Sequence, residues 1–473
     1  MTTRVALALT AVRVVAERTN PLEPLSVGSL AERLGISLSR TSRLCADLSD
    51  VGLLEPSGHY GAYRLGRRAI RLSGRAAAPI AGHVQLALAE AARVTGETVC
   101  IAAAVHHDVR VVSAIESGWT LFVPAAVGES VEEDGSAIRL ALAAPKRLGA
   151  GTAAFETIVG VRIEVAAPIR DPAGETVGVV AVRLPRNRTR TAVTRARRAV
   201  GGARAQIETA IARIPDRQEA PAVPSHPEPD AARASSLEVV TRLVEQLADG
   251  VATSGRSWRA LGIPPARGQR LLAAAVESGL VMRNEKDGAL RLSWTLHLWH
   301  RAAVHPILTR RADQLVAETS AVTGQSAFLT VMRRMRSVTL VEKLVEQPDG
   351  LAMAPWLGRP CPLEHSDGGP ALLLDYGVDE IATLVPGDTS PAGVRMLRNG
   401  MREILREGVF SQESAEEAGQ IGITAPVRDS SGLVVAASCI VGPTSVIRSQ
   451  LAELRASTVD LAARVSELLG AEG

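Results

Sequence analysis

From Arg4 to Ser73 apolar residues recur at the three-to-four spacing of helices with one buried face. Leu30, Leu34, Leu44, Leu48 and Val51 place two short helices on one core, with Gly35 at the tight turn between them. The polar stretch Ser57–Gly66, with Tyr60, Tyr63 and Arg64, predicts a hairpin-like wing. The period then shortens. Strands are predicted over Thr98–Ala104, Val109–Ile115, Val161–Ile169 and Thr176–Leu184, and later over Ala327–Val331, Ser337–Glu342, Gly422–Val427 and Leu433–Val441. Asp-x-x-Gly turns at Asp171–Gly174 and Asp429–Gly432 predict antiparallel pairs. Long helices should flank these strands over Pro79–Thr95, Thr191–Arg213, Ala302–Thr323 and Pro443–Leu469.

The same order of elements is written twice. Leu34-Gly-Ile-Ser-Leu-Ser-Arg-Thr-Ser-Arg43 matches Leu261-Gly-Ile-Pro-Pro-Ala-Arg-Gly-Gln-Arg270 at an offset of 227, which holds through Val51-Gly-Leu-Leu54 against Ser278-Gly-Leu-Val281 and Tyr63-Arg-Leu65 against Leu290-Arg-Leu292. Thr95-Gly-Glu97 matches Thr323-Gly-Gln325 at 228, and Ala167-Pro-Ile-Arg-Asp171 matches Ala425-Pro-Val-Arg-Asp429 at 258. Gly135-Ser-Ala137 resembles Gly369-Pro-Ala371, so the first copy is shorter by about 24 residues, mainly a charged helical stretch like Val394–Glu407. Pro215, Pro221, Pro224, Pro227 and Pro229 make 215–234 a semi-rigid linker.

Length and composition narrow the class. The 473 residues suit several domains, and 46 % hydrophobic with 22 % charged residues can pack a core. No run of about 18 apolar residues predicts a membrane span. Arg4, Arg13 and Glu17 make the N-terminal stretch an amphipathic helix rather than a signal peptide, so a cytoplasmic location is expected. Cys45, Cys100, Cys361 and Cys439 form no CxxC motif and are expected to be reduced thiols. The net charge of +3 is too small to name a partner, and the dominance of Arg over Lys146, Lys286 and Lys343 is as readily a matter of genome composition.

Local charge says more. Residues 4–73 carry ten Arg against six acids. Ser37 is placed to cap the second short helix, and burying Leu44 and Leu48 turns Ser39, Arg40, Ser42 and Arg43 outward at its N-terminal end. That end of a recognition helix enters the DNA major groove, where Arg bonds guanine bidentately and Ser bonds phosphate or base edges. Tyr63 and Arg64 would add contacts from the wing. In the second copy Pro264-Pro265 suit a helix start and Arg267 and Arg270 project from that helix, though Gly268 and the lost hydroxyls weaken it as a reader. Ordinary packed helices could show this pattern once; its recurrence with a wing and outward Arg favours a reader.

The chain resembles the IclR family of bacterial transcriptional regulators over nearly its whole length, in two tandem copies. The resemblance rests on SLAERLGISLSRTSRLCADLSDVGLLEP, YRLG, TGETV, APIRD, HSDGGPALLL, GITAPVRDSSG and CIVGP, taken in order. It implies an α+β fold with two winged helix-turn-helix domains (1–75 and 235–301) alternating with two GAF-like effector-binding domains (76–214, shortened, and 302–473). It implies double-stranded DNA and a small-molecule effector, such as an organic acid, as partners, with no cofactor. It also implies an intramolecular pseudo-dimer or a homodimer, and puts Arg43 and Arg270 at the recognition-helix arginine. Pocket positions carried over are Gly369, Gly422, Cys439 and Val441, with Met353 and Trp356 on the rim; the matching first-copy positions are Glu164, Ala181 and Arg183.

Other clusters read more simply. Arg183, Arg186, Arg188, Arg190, Arg195, Arg197, Arg198 and Arg204 could follow phosphates, but read first as a solvated helix face. His106-His107-Asp108 reads as a turn rather than a metal site, and Trp119, Trp294 and Trp299 as core or pocket wall. No nucleophile elbow, P-loop, HExxH or dinucleotide turn points to an enzyme. The alternative to a regulator is a ligand-sensing or protein-interaction scaffold whose winged domains do not bind DNA.

Overall fold

Thr3 opens α1 (Arg4–Ala16), its hydroxyl accepting the Ala6 N–H, and Ser26 opens α2 (Val27–Leu34) through Ser29 N. Gly35, at φ 64°, ends α2 in the left-handed turn that glycine adopts without strain. α3 (Leu38–Asp50) follows, with Thr41, Leu44, Cys45 and Leu48 buried. Leu30 lies in the same core, whereas Leu34 and Val51 are half-buried. β2 (Leu54–Pro56) and β3 (Ala62–Leu65) form an antiparallel hairpin, with β1 (Leu25–Ser26) on the other side of β3. In this computed structural model the described residues are 3–18, 20–145, 154–214, 235–248, 263–283, 290–345, 354–378, 381, 385, 389–414 and 418–471. They form two compact units, Met1–Ala303 and Val304–Gly473. The expected linker 215–234 and Met353 lie outside the described residues.

In the first unit α4 (Arg67–Thr95) runs unbroken across the expected 75/76 boundary and carries Pro79 in its interior, not at its start. The buried stripe Ala69, Ile70, Leu72, Ala77, Ile80 and Val84 continues on both sides of that proline, so packing outweighs the missing N–H. β4 (Thr98–Val105), β5 (Asp108–Ile115), β6 (Phe155–Val159), β7 (Arg162–Arg170) and β8 (Thr176–Pro185) form an antiparallel sheet in the order β5-β4-β8-β7-β6. α4 and α6 (Arg190–Arg213) pack together, with α6 against β7 and β8. α5 (Ala137–Leu142) packs on the opposite face, against Cys100, Ala102, Ala166, Val179 and Ala181.

The first unit also holds α7 (Ser236–Ala248), α8 (Pro265–Glu277), β9 (Val281–Arg283), β10 (Leu290–Leu292) and the start of α9 (His297–Arg310). α1 packs on α7 and α8, and α4 on α7.

The second unit contains α10 (Ala312–Thr323), β11 (Ser326–Arg333), β12 (Arg336–Lys343), β13 (Pro360–Pro362), α11 (Gly369–Leu372), α12 (Pro391–Glu407), β14 (Phe410–Glu413), β15 (Gln420–Arg428), β16 (Val434–Pro443), α13 (Thr444–Ser449) and α14 (Leu451–Leu468). Its sheet order, β13-β12-β11-β16-β15-β14, is that of the first sheet with β13 added at one edge. α10 and α14 pack together, and α11 packs on β16 and α12. The helix expected over Ala302–Thr323 is broken at Arg311, and the one over Pro443–Leu469 at Gln450, where φ −122° and ψ 20° leave the helical region. Among the described residues no helix is long and apolar enough to cross a membrane.

Candidate functional site

The first copy exposes a compact polar face on α3. Ser37, Ser39, Arg40, Ser42 and Arg43 are all exposed, as is Leu38, while Thr41 and Leu44 hold the other side of the helix. Ser37 is the N-cap by backbone geometry, but its hydroxyl makes no cap hydrogen bond, contrary to expectation. It lies 3.5 Å from Ser39 Oγ instead, leaving both hydroxyls at the surface of the helix start. The Ser57–Gly61 turn presents Tyr60, which is fully exposed. Tyr63 and Arg64 are half-buried on β3, and Arg64 Nε donates to Glu55 Oε1 across the hairpin at 2.6 Å. Arg64 is therefore already neutralised where it stands.

In the second copy α8 starts at Pro264-Pro265 as expected, with Pro265 in its first turn. Arg270 is exposed, and its Nε donates to its own helix at Ala266 O (3.3 Å). Arg267 is half-buried and Gly268 is buried.

Within the first unit, positions that the sequence offset matches to each other lie together. Ser73 Oγ lies 2.8 Å from His300 Nδ1 and accepts the His300 N–H at 2.9 Å, and these residues are 227 apart, the offset of the repeat. Leu53 with Leu280, and Leu72 with Trp299, are matched at the same offset. Leu9 with Thr241, and Val12 with Val244, hold matching places on α1 and α7, two helices of 13 residues each. All eight line one small apolar cavity. Contact between equivalent positions is what a two-fold interface produces.

Arg68 clamps one flank of this seam. It bonds Glu238 at 2.6 and 3.2 Å, Glu245 at 2.7 and 3.0 Å, and Val51 O at 3.2 Å. The hydrogen bonds it donates to Glu245 and Glu238 hold its guanidinium above its ordinary range despite burial. Burial opposes ionisation of Glu238, yet Arg68 and Arg242 hold that carboxyl below its usual range. Burial pushes Glu17 up to about 7, against the pull of Arg13 and Arg110. Sequence reasoning missed Arg68, Ser73 and Glu238. The repeat offset could have found Ser73 with His300, 227 residues apart, but not Arg68 with Glu238 and Glu245, which are 170 and 177 residues apart.

In the second unit Gly422, Thr424, Cys439 and Val441 lie on adjacent strands in register, Gly422 opposite Val441 and Thr424 opposite Cys439. Cys439 also pairs with Phe328, whose ring packs on Trp356 with centroids 4.9 Å apart. A Cβ at Gly422 would sit 2.4 Å from Asp367 Cγ, and one at Gly368 would sit 2.6 Å from Thr330 Oγ1. Asp367 is buried and accepts a hydrogen bond from Ser414 Oγ at 3.0 Å. Gly369 opens α11, where a Cβ would collide with Leu363 O, so close packing explains this glycine. The fold thus sets Gly422 against Asp367, an acid that the sequence reading passed over, with Val441 opposite Gly422 on the next strand.

The corresponding place in the first unit is filled differently. Glu164 lies opposite Arg183 in register, both wholly buried on the α5 face of the sheet. Arg183, read both with the exposed basic run and as a position on the expected strand, belongs to β8 and not to α6. Arg186, Arg190, Arg195, Arg197 and Arg198 are exposed as expected. Burial pushes the neighbouring Cys100 thiol up to about 11, with Arg183 opposing. Trp119 is another departure. It is 56 % exposed rather than core, with the Arg188 guanidinium 5.7 Å from its ring. His106, at φ 56°, forms the β4–β5 turn.

No protein-family model matches the chain, and no curated protein matches it. Solved structures do. Pseudomonas aeruginosa HmgR is 21 % identical, over 51 % of this chain and all of that one, with a TM-score of 0.38. The Agobacterium tumefaciens repressor BlcR is 24 % identical, over 50 % of this chain and 98 % of that one, with a TM-score of 0.37. An IclR homolog from Microbacterium hydrocarbonoxydans, solved with 4-hydroxybenzoate, is 21 % identical, over 50 % of this chain and 99 % of that one, with a TM-score of 0.31. Each of these similar chains spans about half of this one.

Proposed function

We propose that this chain is a DNA-binding transcriptional regulator of the IclR type. Two winged helix-turn-helix domains, 1–75 and 235–301, and two GAF-like domains, 76–214 and 302–473, are fused in tandem. The observation that carries this reading is the α3 face: Ser39, Arg40, Ser42 and Arg43 exposed at the start of a helix whose other side is locked by Thr41, Leu44 and Leu48. Such a face offers guanidinium and hydroxyl donors to base edges in the major groove. The matched contacts between copies support two readers paired within one chain. Because α3 and α8 share Arg40/Arg267 and Arg43/Arg270 but differ at Ser39/Ala266 and Ser42/Gln269, the preferred operator is asymmetric. A small organic effector binds the second sensor, beside Trp356, Gly422 and Cys439, and favours one spacing of the readers by binding that state more tightly.

The test is footprinting and fluorescence anisotropy of the wild-type chain and the Arg40→Ala/Arg43→Ala variant at fixed salt. Sequence-selective affinity should fall by about 1–3 kcal/mol for each lost base contact, while non-specific binding at low salt changes little. An unchanged footprint in the double variant refutes the assignment. The half-buried Arg267 and buried Gly268 favour a second reading for copy two alone, in which α8 pairs with its neighbour without touching DNA. In that case Arg270→Ala leaves the footprint unaltered.

A further inference from the structure

We propose that the first sensor contains a carboxylate-binding site occupied from within by Glu164. Arg183 is 1 % exposed and Glu164 fully buried. Nη1 of Arg183 is satisfied, donating to Glu129 Oε1 at 2.6 Å and Pro124 O at 3.1 Å. The other edge is not. Nε and Nη2, the pair of N–H groups that grips a carboxylate bidentately, have no hydrogen-bond acceptor among the described residues. Glu164 Oε1 stands 3.3 Å from Nε and supplies charge to that edge, but not bond geometry.

The reason lies in where Glu164 is held. It reaches in from the next strand, directly opposite Arg183. Its oxygens are already committed: Ser136 Oγ donates to Oε2 at 2.5 Å and Arg162 Nε to Oε1 at 3.0 Å. Tethered to β7, the carboxylate cannot turn to face the fork squarely. The second copy gives the contrast, with Gly422 and Val441 in the same register and neither charge present. A buried guanidinium aimed at a tethered acid is the arrangement a free carboxylate would complete. In the wild-type chain it is shut, so the first sensor does not answer to carboxylates and effector response belongs to the second sensor alone. That last consequence rests on the proposed function; the site itself does not.

The experiment opens the site. Glu164→Gly installs the residue that the second copy carries at this register. The melting temperature of the full chain is followed in acetate and in chloride at equal ionic strength, about 100 mM. We expect the variant to melt below wild type in chloride and to recover roughly half of the loss in acetate, while wild type responds to both salts alike. Glu164→Gln, which fills the space, should show no acetate preference. Arg183→Met added to Glu164→Gly should abolish the preference. If Glu164→Gly folds only when acetate is present, the proposal stands. Equal behaviour in the two salts, failure to fold in both, or an acetate response that survives Arg183→Met overturns it. None of these outcomes depends on DNA, so the regulator reading stands or falls separately.

Discussion

Replacing Arg68 by Met should loosen the packing of α4 on α7. The side chains involved are only 21–24 % exposed, so their bonds are partly shielded from water. Arg68 gives four charge-assisted hydrogen bonds to two carboxylates, at 2.6 to 3.2 Å. Hydrogen bonds to charged groups contribute about 1.5–3 kcal/mol each in favourable sites, and partial exposure discounts that. Glu238 keeps Arg242 at 2.8 Å, so the main uncompensated charge is Glu245. A net loss of about 2–4 kcal/mol follows. Hydrogen exchange of α7 amides reads this locally, without assuming that the whole chain unfolds in one step. Protection of α7 should fall by roughly 30- to 900-fold at neutral pH. Glu238 is held below its usual range in the folded chain, so its contribution is present above the ordinary carboxylate range and is lost as pH falls through the depressed value. The penalty of Arg68→Met should therefore shrink in acid. Protection within about threefold of wild type at pH 7 would mean that the clamp behaves as an ordinary surface ion pair, and the reasoning would fail.

Further expectations concern other buried groups. Glu17 has a folded value raised to about 7, so the folded chain binds its proton more tightly and stability declines as pH rises from about 4.5 to about 7. Glu17→Gln should flatten that slope and gain up to about 3 kcal/mol above pH 7, seen in denaturation midpoints across pH. Gly422→Ala should cost about 1–3 kcal/mol of stability in a thermal melt, because its new methyl meets Asp367. Under native conditions a thiol reagent should label half-buried Cys361 well before Cys45, Cys100 and Cys439. Early labelling of Cys100 would contradict its burial.

The periodic elements were legible because one buried face leaves a regular mark. The strands Thr98–Ala104 and Val109–Ile115 differ from β4 and β5 only at their ends. Pro79 misled, because proline is a good helix-start signal that a long buried stripe overrides. The exposed α3 face was readable from Leu44 and Leu48, whose burial fixes the opposite side. Arg183 was legible as a position on the Thr176–Leu184 strand, but its facing partner was not: only the pairing of β7 with β8 places it opposite Glu164. Asp367 was hidden likewise, since its neighbours Gly422 and Ser414 are distant in sequence.

The meeting of Ser73 with His300 alters how this seam can vary. Between two separate copies of one chain, any change at the axis appears on both sides at once and must suit its own mirror image. Here the sides are written separately, so Ser73 faces His300, and each can be adjusted alone. Dilution cannot part them either, because a tether fixes their local concentration however few molecules a cell contains.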